Sequence, residues 1–429
     1  MNQVIPILPV VPIVQDIPVN ADTVAPQKPK DISHYMRSGL LQLAALPPLS
    51  LYIHLPWCLK KCPYCDFNSH EVQAGGTLSA ELEERYINAV VADLDASLPL
   101  IWGRPVHSIF IGGGTPSLFS PTSIDRLLGD IRARVKLDPD CEITLEANPG
   151  TFEKDRFKAF RAAGVTRLSI GVQSFNDAHL KALGRVHDSA QAFAAVEEAA
   201  QSFGTFNVDL MYALPGQAIA DLERDVQTAL SLAPSHISIY HLTIEPNTYF
   251  AKFPPIAPHA LPEEDTAYAM LDKLTELLSG AGLDRYEVSA YAKPGHRCWH
   301  NLNYWQFGDY LGLGAGAHSK LSFAHRVVRQ VRFREPKLYM QNALLGNAVT
   351  QDDDIKHKEL AFEFMLNALR LKEGFDPMMF FERTSLALSA LQPGLQQAID
   401  KNLLIQTPKS IKPTERGFDF LSDLQELFL

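Results

Sequence analysis

Three cysteines in the first quarter of the chain, Cys58, Cys62 and Cys65, share the spacing C-x3-C-x2-C. Cysteine thiolates hold iron–sulfur clusters, and a cubane cluster has four iron corners. Three protein thiolates would leave one iron open to a small molecule, and an open coordination position separates a reactive metal site from a structural one. The spacing therefore predicts a [4Fe-4S] cluster with one free corner.

A zinc site and a disulfide framework are the alternatives for these cysteines. Zinc sites take four ligands, often as two C-x2-C pairs, whereas Cys141 and Cys298 are solitary and only His54 or His70 could complete the set. A disulfide framework is disfavoured because the chain has 429 residues and its few cysteines cluster at metal-like spacing. The pattern indicates a reducing compartment, so we expect a cytoplasmic protein.

Composition narrows the possible functions. The formal net charge of -10 does not favour nucleic-acid binding, and no apolar run reaches the length of a membrane span.

Residues 1–47 contain an apolar stretch that Pro6, Pro9 and Pro12 interrupt and that lacks a basic start, so it is a poor signal peptide. We expect this proline-containing extension to be poorly ordered, or else to lie across the folded domain as an apolar arm. Peripheral membrane contact stays open.

Short β-like runs alternate with helical stretches after this extension. Repeated βα units predict a parallel sheet with helices outside it, and six units predict a partial (β/α)6 barrel within residues 48–318. The predicted strands are 51–55, 107–115, 142–148, 167–173, 206–212 and 236–242, and the predicted helices are near 79–98, 121–135, 154–163, 177–183, 189–202, 218–232 and 263–281.

Polar or glycine clusters follow the carboxyl end of every predicted strand, where parallel barrels collect their functional residues. The glycine run 112–114 permits close approach of a ligand to the backbone. Glu146 and Asp209 suit ribose hydroxyls or an ammonium group, as acidic residues at strand ends do in nucleotide folds. Each cluster has a structural alternative, such as a tight turn, a salt bridge or a helix cap. Six clusters at one rim nevertheless predict a single active site.

The cysteine loop, followed by a strand that ends in Gly-Gly-Gly-Thr-Pro, resembles the radical S-adenosylmethionine (SAM) enzymes from about residue 50 to the C-terminus. In those enzymes the open iron binds the amino and carboxylate groups of SAM, and reduction of the cluster releases a 5'-deoxyadenosyl radical. The resemblance implies a cluster on the three cysteines and one or two molecules of SAM. The residues that it assigns to this cofactor are Tyr52, Gly113, Gly114, Thr115, Glu146, Gln173, Arg185 and Asp209.

Within that superfamily the chain resembles a branch that contains the oxygen-independent coproporphyrinogen III oxidase and a related group of haem chaperones. The oxidase has a fourth cysteine two residues after the third, whereas this chain has Phe67 there. Phenylalanine cannot ligate iron or donate a proton. We therefore expect a chaperone that passes haem to an acceptor protein, with a radical SAM enzyme acting on a porphyrinogen as the alternative. Neither the acceptor nor turnover of SAM follows from the sequence.

A second motif, at residues 300–305, resembles the H-N-x-x-Y-W motif that the chaperones associate with haem binding. The resemblance implies that His300, Asn301, Tyr304 and Trp305 contact haem. Histidine is a common axial ligand of haem iron, and tyrosine and tryptophan have flat apolar faces that suit a porphyrin. Cys298 is a candidate second ligand, and His318 and His241 are alternative ligands. In the structural alternative the motif belongs to the core and its histidine is buried and hydrogen-bonded.

The remaining chain divides into two predicted parts. Residues 319–354 read as a basic hairpin or connector, and we expect a solvated strand face, with contact to haem propionates or an acidic partner as the alternative. Residues 355–429 read as a small helical, winged-helix-like domain that is not notably basic, so we expect it to cap the barrel or bind a protein. The basic residues of the connector region are Lys320, Arg326, Arg329, Arg332, Arg334 and Lys337.

Overall fold

The computed structural model describes residues 30–72, 77–151 and 155–429. The first half of the chain contains α1 (Ile32–Met36), β1 (Leu49–Leu55), β2 (Trp57–Cys58), β3 (His70–Glu71), α2 (Ala80–Ser97), β4 (Val106–Gly113), α3 (Pro121–Arg134), β5 (Leu137–Ala147), α4 (Arg156–Ala163), β6 (Arg167–Gln173), α5 (Asp177–Ala182), α6 (Ser189–Ser202), β7 (Phe206–Tyr212) and α7 (Ile219–Ser231).

The second half completes the barrel and adds the C-terminal region. Its elements are β8 (His236–His241), α8 (Tyr249–Lys252), α9 (Glu264–Gly280), β9 (Asp284–Arg285), β10 (Ala290–Ala292), α10 (Trp299–Trp305), β11 (Asp309–Leu313), β12 (His318–Phe323), β13 (Arg326–Arg332), α11 (Pro336–Ala343), β14 (Val349–Asp354), α12 (His357–Ala368), α13 (Pro377–Thr384), α14 (Gly394–Asp400), β15 (Leu404–Gln406), β16 (Ile411–Pro413), α15 (Glu415–Asp419) and α16 (Leu421–Glu426).

One large sheet organises the molecule, with the strand order β14-β13-β12-β11-β1-β4-β5-β6-β7-β8-β10-β9. The six strands from β1 to β8 in this order are parallel neighbours, which confirms the predicted fold class. Helices cover these strands, so their sequences are nearly continuous apolar runs, as in Leu51, Ile53, Ile109 and Ile111, all of which are buried. The core therefore lies between the sheet and its crossover helices.

Side-chain caps determine where several crossover helices begin. Ser79 accepts a hydrogen bond from the backbone N–H of Leu82 at 3.1 Å, and Ser120 caps α3 in the same way. At α6, Asp188 and Gln191 form a reciprocal capping box. Such caps satisfy backbone N–H groups that have no partner within the helix. They thereby set the length of the loops at the carboxyl ends of the strands, where the candidate site lies.

The connector region continues the large sheet on the far side of β1. β11 pairs with β1 in parallel, and β12, β13 and β14 follow in antiparallel order. The expectation of a solvated basic face is wrong for Lys320 and Arg332, whose side chains are 2% and 0% exposed. Lys320 pairs with Asp309 at 3.0 Å, and Arg332 contacts Asp93 of α2. These strands are interior to the sheet, so their buried charges need partners.

The described part of the N-terminal extension, from residue 30, packs on the fold. Tyr35 is buried, donates a hydrogen bond to Asp352 and stacks on Phe323 with ring centroids 4.8 Å apart. Leu41 and Leu43 are buried in the C-terminal core. The expectation of poor order is therefore wrong for residues 30–47, and the alternative of an apolar arm describes them. Residues 1–29 lie outside the described ranges.

The C-terminal region is helical, as predicted, with the two-stranded β15–β16 sheet between α14 and α15. It has its own apolar core around Phe364, Phe375 and Phe380, whose rings meet edge to face. Thr414 caps α15 by accepting a hydrogen bond from the Gly417 N–H at 2.9 Å, and the winged-helix comparison stays a prediction. None of the helices in the described ranges is long and apolar enough to cross a membrane.

Candidate cofactor site

The cysteine loop follows β1 at the carboxyl rim of the barrel, and each thiol faces a polar group. The Thr115 hydroxyl lies 3.5 Å from Cys58 Sγ, and the Arg185 guanidinium lies 3.6 Å from Cys62 Sγ. Cys65 Sγ lies 3.7 Å from a serine hydroxyl in its own loop. All five cysteines of the chain are free. The loop thus presents three thiols at one rim, which fits the donor set of an iron–sulfur cluster.

Burial disfavours the thiolate forms of Cys58 and Cys65. It raises the pKa of Cys58 to about 11, and it also raises the pKa of Cys65. Only thiolates ligate metals, so binding a cluster here must release protons. The Arg185 guanidinium places a positive charge 3.6 Å from Cys62 Sγ.

The glycine run brings the end of β4 against β1 and the cysteine loop. Gly113 has a φ of +115°, and a Cβ there would lie 2.5 Å from the ring of His54. A Cβ on Gly114 would lie 2.6 Å from the carbonyl oxygen of Trp57. Only glycine fits these positions. The Gly113 N–H donates to Glu146 at 3.1 Å, so the run packs the rim tightly and also points an amide into the site.

Two acidic side chains of the predicted set lie together at this rim. Burial and the neighbouring Asp209 raise the pKa of Glu146 to about 8. Burial also raises the pKa of Asp209, which accepts hydrogen bonds from Ser169 at 2.9 Å and Asn207 at 2.7 Å. Among the described residues no cation pairs with Glu146. A buried carboxyl group with a raised pKa and no cation beside it fits a ligand that brings a positive charge or hydroxyl groups.

Further polar atoms at the rim are buried without partners within the described ranges. They include Arg185 Nε, Thr243 Oγ1 and Glu245 Oε1. Arg185 otherwise donates to the carbonyl of Gly171 at 2.7 Å, and Gln173, at the end of β6, has a positive φ of 68°. Buried polar atoms normally have partners. Their number here fits a polar ligand such as SAM.

Tyr52 and His54 link the rim to the barrel interior. The Tyr52 hydroxyl donates to His54 Nδ1 at 2.8 Å, and His54 Nε2 donates to the carbonyl of Asn68 at 2.9 Å. Burial lowers the pKa of His54 to about 4. Both ring nitrogens of His54 are engaged, so it has no free lone pair for the zinc alternative. Tyr52 also stacks on Phe110, with ring centroids 5.8 Å apart.

The second motif lies on α10 at the opposite end of the barrel. His300 is 4% exposed, its Nδ1 lies 2.9 Å from Glu142 Oε1, and its ring stacks on Phe110 at 4.3 Å. Glu142 is in the middle of β5, two residues before Thr144, which pairs with Arg167, the first residue of β6. Arg167 also acts on the charge of Glu142. The structure therefore separates this motif from the cysteines, with Tyr52 and Phe110 between them.

The aromatic residues of the motif, Tyr304 and Trp305, are buried. Tyr304 meets Tyr310 edge to face at 5.0 Å, and Trp305 lies under the Arg370 guanidinium at 4.2 Å. The Asn301 Oδ1 and Trp305 Nε1 atoms are buried without a partner among the described residues. The structural alternative describes this geometry, and haem contact stays a proposal. Sequence reasoning missed Glu142 and Phe110, because both lie inside predicted strands and their contacts with His300 join segments that are distant in sequence.

The fold and site define a class of protein. A sequence model of the radical SAM superfamily matches residues 52–229, and a model of the HemN C-terminal domain matches residues 355–420. The structure of coproporphyrinogen III oxidase (HemN) from Escherichia coli, described as a radical SAM enzyme, aligns with a TM-score of 0.75 and 24% identity over 89% of this chain and 90% of that chain. At that identity the likeness supports the fold alone.

Several other proteins have a higher sequence identity to this chain. The chain is 45% identical to the haem chaperone HemW of Escherichia coli over 90% of this chain and 100% of that protein. It is 46% identical to HemW of Haemophilus influenzae over 90% of this chain and 98% of that protein. Identity to HemW of Mycobacterium tuberculosis is 36% over 77% of this chain and 84% of that protein. The chain therefore belongs to the HemW family of the radical SAM superfamily.

Proposed function

We propose that this protein is a haem chaperone that binds haem and a [4Fe-4S] cluster with SAM, and that transfers the haem to an acceptor protein. The observation that carries the proposal is 45% identity over the full length of a protein named as a haem chaperone. Phe67, 38% exposed at the loop where the oxidase has a fourth cysteine, supports the same choice. The reducing cytoplasm suits a protein with free thiols.

In this proposal Cys58, Cys62 and Cys65 hold the cluster. The cluster supplies an open iron for SAM and one-electron chemistry when it is bound. Arg185 and Thr115, which contact two of these sulfur atoms, would donate hydrogen bonds to the ligands of the cluster.

The rim carboxylates and amides hold SAM in this proposal. Glu146 receives its hydroxyl or ammonium groups, because it is buried and accepts one backbone N–H among the described residues, and Asp209 lies beside it. Gly113, Gly114 and Gln173 approach through their backbone, and Tyr52 closes the inner side of the site.

Haem binds at the opposite end in this proposal, with His300 as the iron ligand and Tyr304 and Trp305 against the porphyrin. Because these side chains are buried, we infer that haem enters only when the segment at residues 370–374 moves away from α10. That segment covers Trp305 through Arg370, and Glu373 forms an ion pair with Arg297 at 2.6 Å. Opening would expose the faces of the aromatic side chains.

The test is anaerobic purification with added haem, followed by quantification of iron, sulfide and haem in one sample. We expect a cluster on the wild-type protein together with bound haem. His300→Ala should lose haem and keep its iron and sulfide, whereas His318→Ala, at the alternative ligand, should keep both. An unchanged haem content and Soret band in His300→Ala would show that His300 is not the ligand.

A second assay separates the chaperone from an enzyme. The reconstituted protein would be given coproporphyrinogen III, SAM and a reductant. We expect no protoporphyrinogen IX, and its formation would overturn the chaperone-only function. Zinc in place of iron and sulfide would overturn both iron–sulfur proposals.

A further inference from the structure

The side chain of Glu142 makes the closest polar contact with His300. Its Oε1 atom lies 2.9 Å from His300 Nδ1, and its Oε2 atom accepts the backbone N–H of Trp299 at 3.2 Å. Oε1 also lies 3.4 Å from the backbone nitrogen of His300. The carboxylate is therefore attached to both the backbone and the histidine ring at the start of α10.

Both oxygen atoms of this group accept hydrogen bonds from backbone N–H groups, Oε2 from Trp299 and Oε1 from His300, as an ionised carboxylate does. A carboxylate can only accept hydrogen bonds. His300 Nδ1 therefore carries the proton, and His300 Nε2 keeps its lone pair.

The surroundings of His300 leave that lone pair available. Phe110 stacks on the His300 ring with an interplanar angle of 16°. Cys298 Sγ lies 3.1 Å from Nδ1 and 3.3 Å from Nε2. The Cys298 thiol donates its hydrogen bond to Glu142 Oε1 at 3.7 Å, so it does not use the lone pair of Nε2. Neither alternative ligand, His241 or His318, has a carboxylate within hydrogen-bond distance among the described residues.

We infer that Glu142 is a positioning residue for haem, because it fixes the orientation and tautomer of His300 so that Nε2 points its lone pair toward the iron. A metal-bound histidine characteristically donates its other N–H to a carboxylate, which fixes the ring and makes it a stronger electron donor. This inference rests on the proposed role of His300 in haem binding. It adds a residue from β5 to a site that the sequence motif confines to α10.

The test compares haem-loaded wild-type protein with Glu142→Gln. The glutamine can still accept the Nδ1 hydrogen bond but carries no charge. We expect haem affinity to fall about 10- to 100-fold, the iron–histidine stretching frequency of the ferrous form to fall, and the haem midpoint potential to rise. Asp225→Asn is the matched control, since Asp225 is a buried carboxylate that binds Ser174 and Phe175 and should leave all three quantities unchanged.

Each outcome decides the inference. Unchanged affinity, stretching frequency and potential in Glu142→Gln would overturn it, and so would a fall in affinity alone, which indicates only a structural role. If His300→Ala keeps its haem, the haem ligand and this inference both fail. If His300→Ala loses haem while Glu142→Gln behaves as wild type, only this inference fails. Should Glu142→Gln not fold, Glu142→Asp keeps the charge but moves it back by one methylene, and unchanged spectra in that variant would again overturn the role.

Discussion

Two glutamates on β5 show how differently the two ends of this barrel are built. Glu142 and Glu146 are four residues apart, so they lie on the same face of one strand. The pKa of Glu142 is held at about 2, whereas that of Glu146 is raised to about 8. The strand and the residue type are the same, and only the neighbours differ.

We call the end of the barrel that holds Glu142 and His300 the floor. The carboxylate on the floor has its polar partners within the described chain, whereas the carboxylate at the rim lacks them. Glu142 has a histidine, two backbone amides and the charge of Arg167 around it. Glu146 has one backbone amide and another carboxylate nearby. An arrangement that is unfavourable without a ligand is typical of binding sites, because the ligand supplies the missing partner. The comparison therefore supports the rim as the cofactor end of the molecule.

The largest effect is expected for loss of the cluster, which should leave haem binding at the other end of the barrel intact. Cys62→Ala should lose essentially all bound iron and sulfide, since two thiols cannot hold a cubane cluster. Haem binding should remain within about twofold of wild type, because the His300 motif lies at the other end of the barrel. Metal analysis and a haem titration on the same sample measure both. Cys141→Ala is the control that should keep its cluster, and joint loss of cluster and haem in Cys62→Ala would contradict the separation.

The next largest effect is expected on the free energy of unfolding when Glu142 is replaced. Glu142→Gln should lower the free energy of unfolding at pH 7 by about 3 kcal/mol, the order expected for a depressed carboxylate pKa. The folded-state pKa of about 2 lies below the ordinary value of 4.5. This stabilisation is therefore full above about pH 4.5 and is lost as the pH falls toward 2. Urea unfolding of both proteins at pH 7 and pH 3 should show the difference shrinking at the lower pH, and a constant difference would contradict it.

At the rim, replacing the glutamate should raise the free energy of unfolding instead of lowering it. The pKa of Glu146 lies above its ordinary value of 4.5, so ionising it destabilises the fold increasingly as the pH rises from 4.5 to 8. Glu146→Gln should therefore stabilise the cofactor-free protein by a comparable amount, about 3 to 4 kcal/mol, at pH 8 and by less than about 1 kcal/mol at pH 5. The same variant should bind SAM more weakly. Thermal unfolding and calorimetric titration of the reconstituted protein test the two parts, and a destabilised variant at pH 8 would contradict the first.

The smallest effect is expected at the surface beside the floor. Arg297 and Glu373 form an ion pair at 2.6 Å, but both side chains are solvent-exposed. Glu373→Gln should therefore change the free energy of unfolding by less than about 1 kcal/mol. Urea unfolding at low and high salt measures it. A loss above about 2 kcal/mol would mean that this pair holds the C-terminal segment over the floor, and the contrast with the rim would need revision.

Local patterns predicted much of the fold and of the rim. The βα alternation identified six parallel strands, because strand and crossover periodicities are local properties of the sequence. Long-range pairing is not local, so the place of β11 beside β1 could not be read from the chain. For the same reason Lys320 and Arg332 look like a solvated face in the sequence, although strands on either side bury them.

The cysteine spacing by itself determined that three thiols share one loop, because residues so close in sequence cannot be far apart in space. The resemblance of the same segment indicated the superfamily, and the family comparisons agree. Only the tertiary structure decided that His300 faces away from that loop, that Glu142 pairs with it, and that Glu146 stays without a cation. The Glu142–His300 contact joins segments 158 residues apart, and the pKa values of Glu142 and Glu146 depend on burial and on neighbours that only folding brings together.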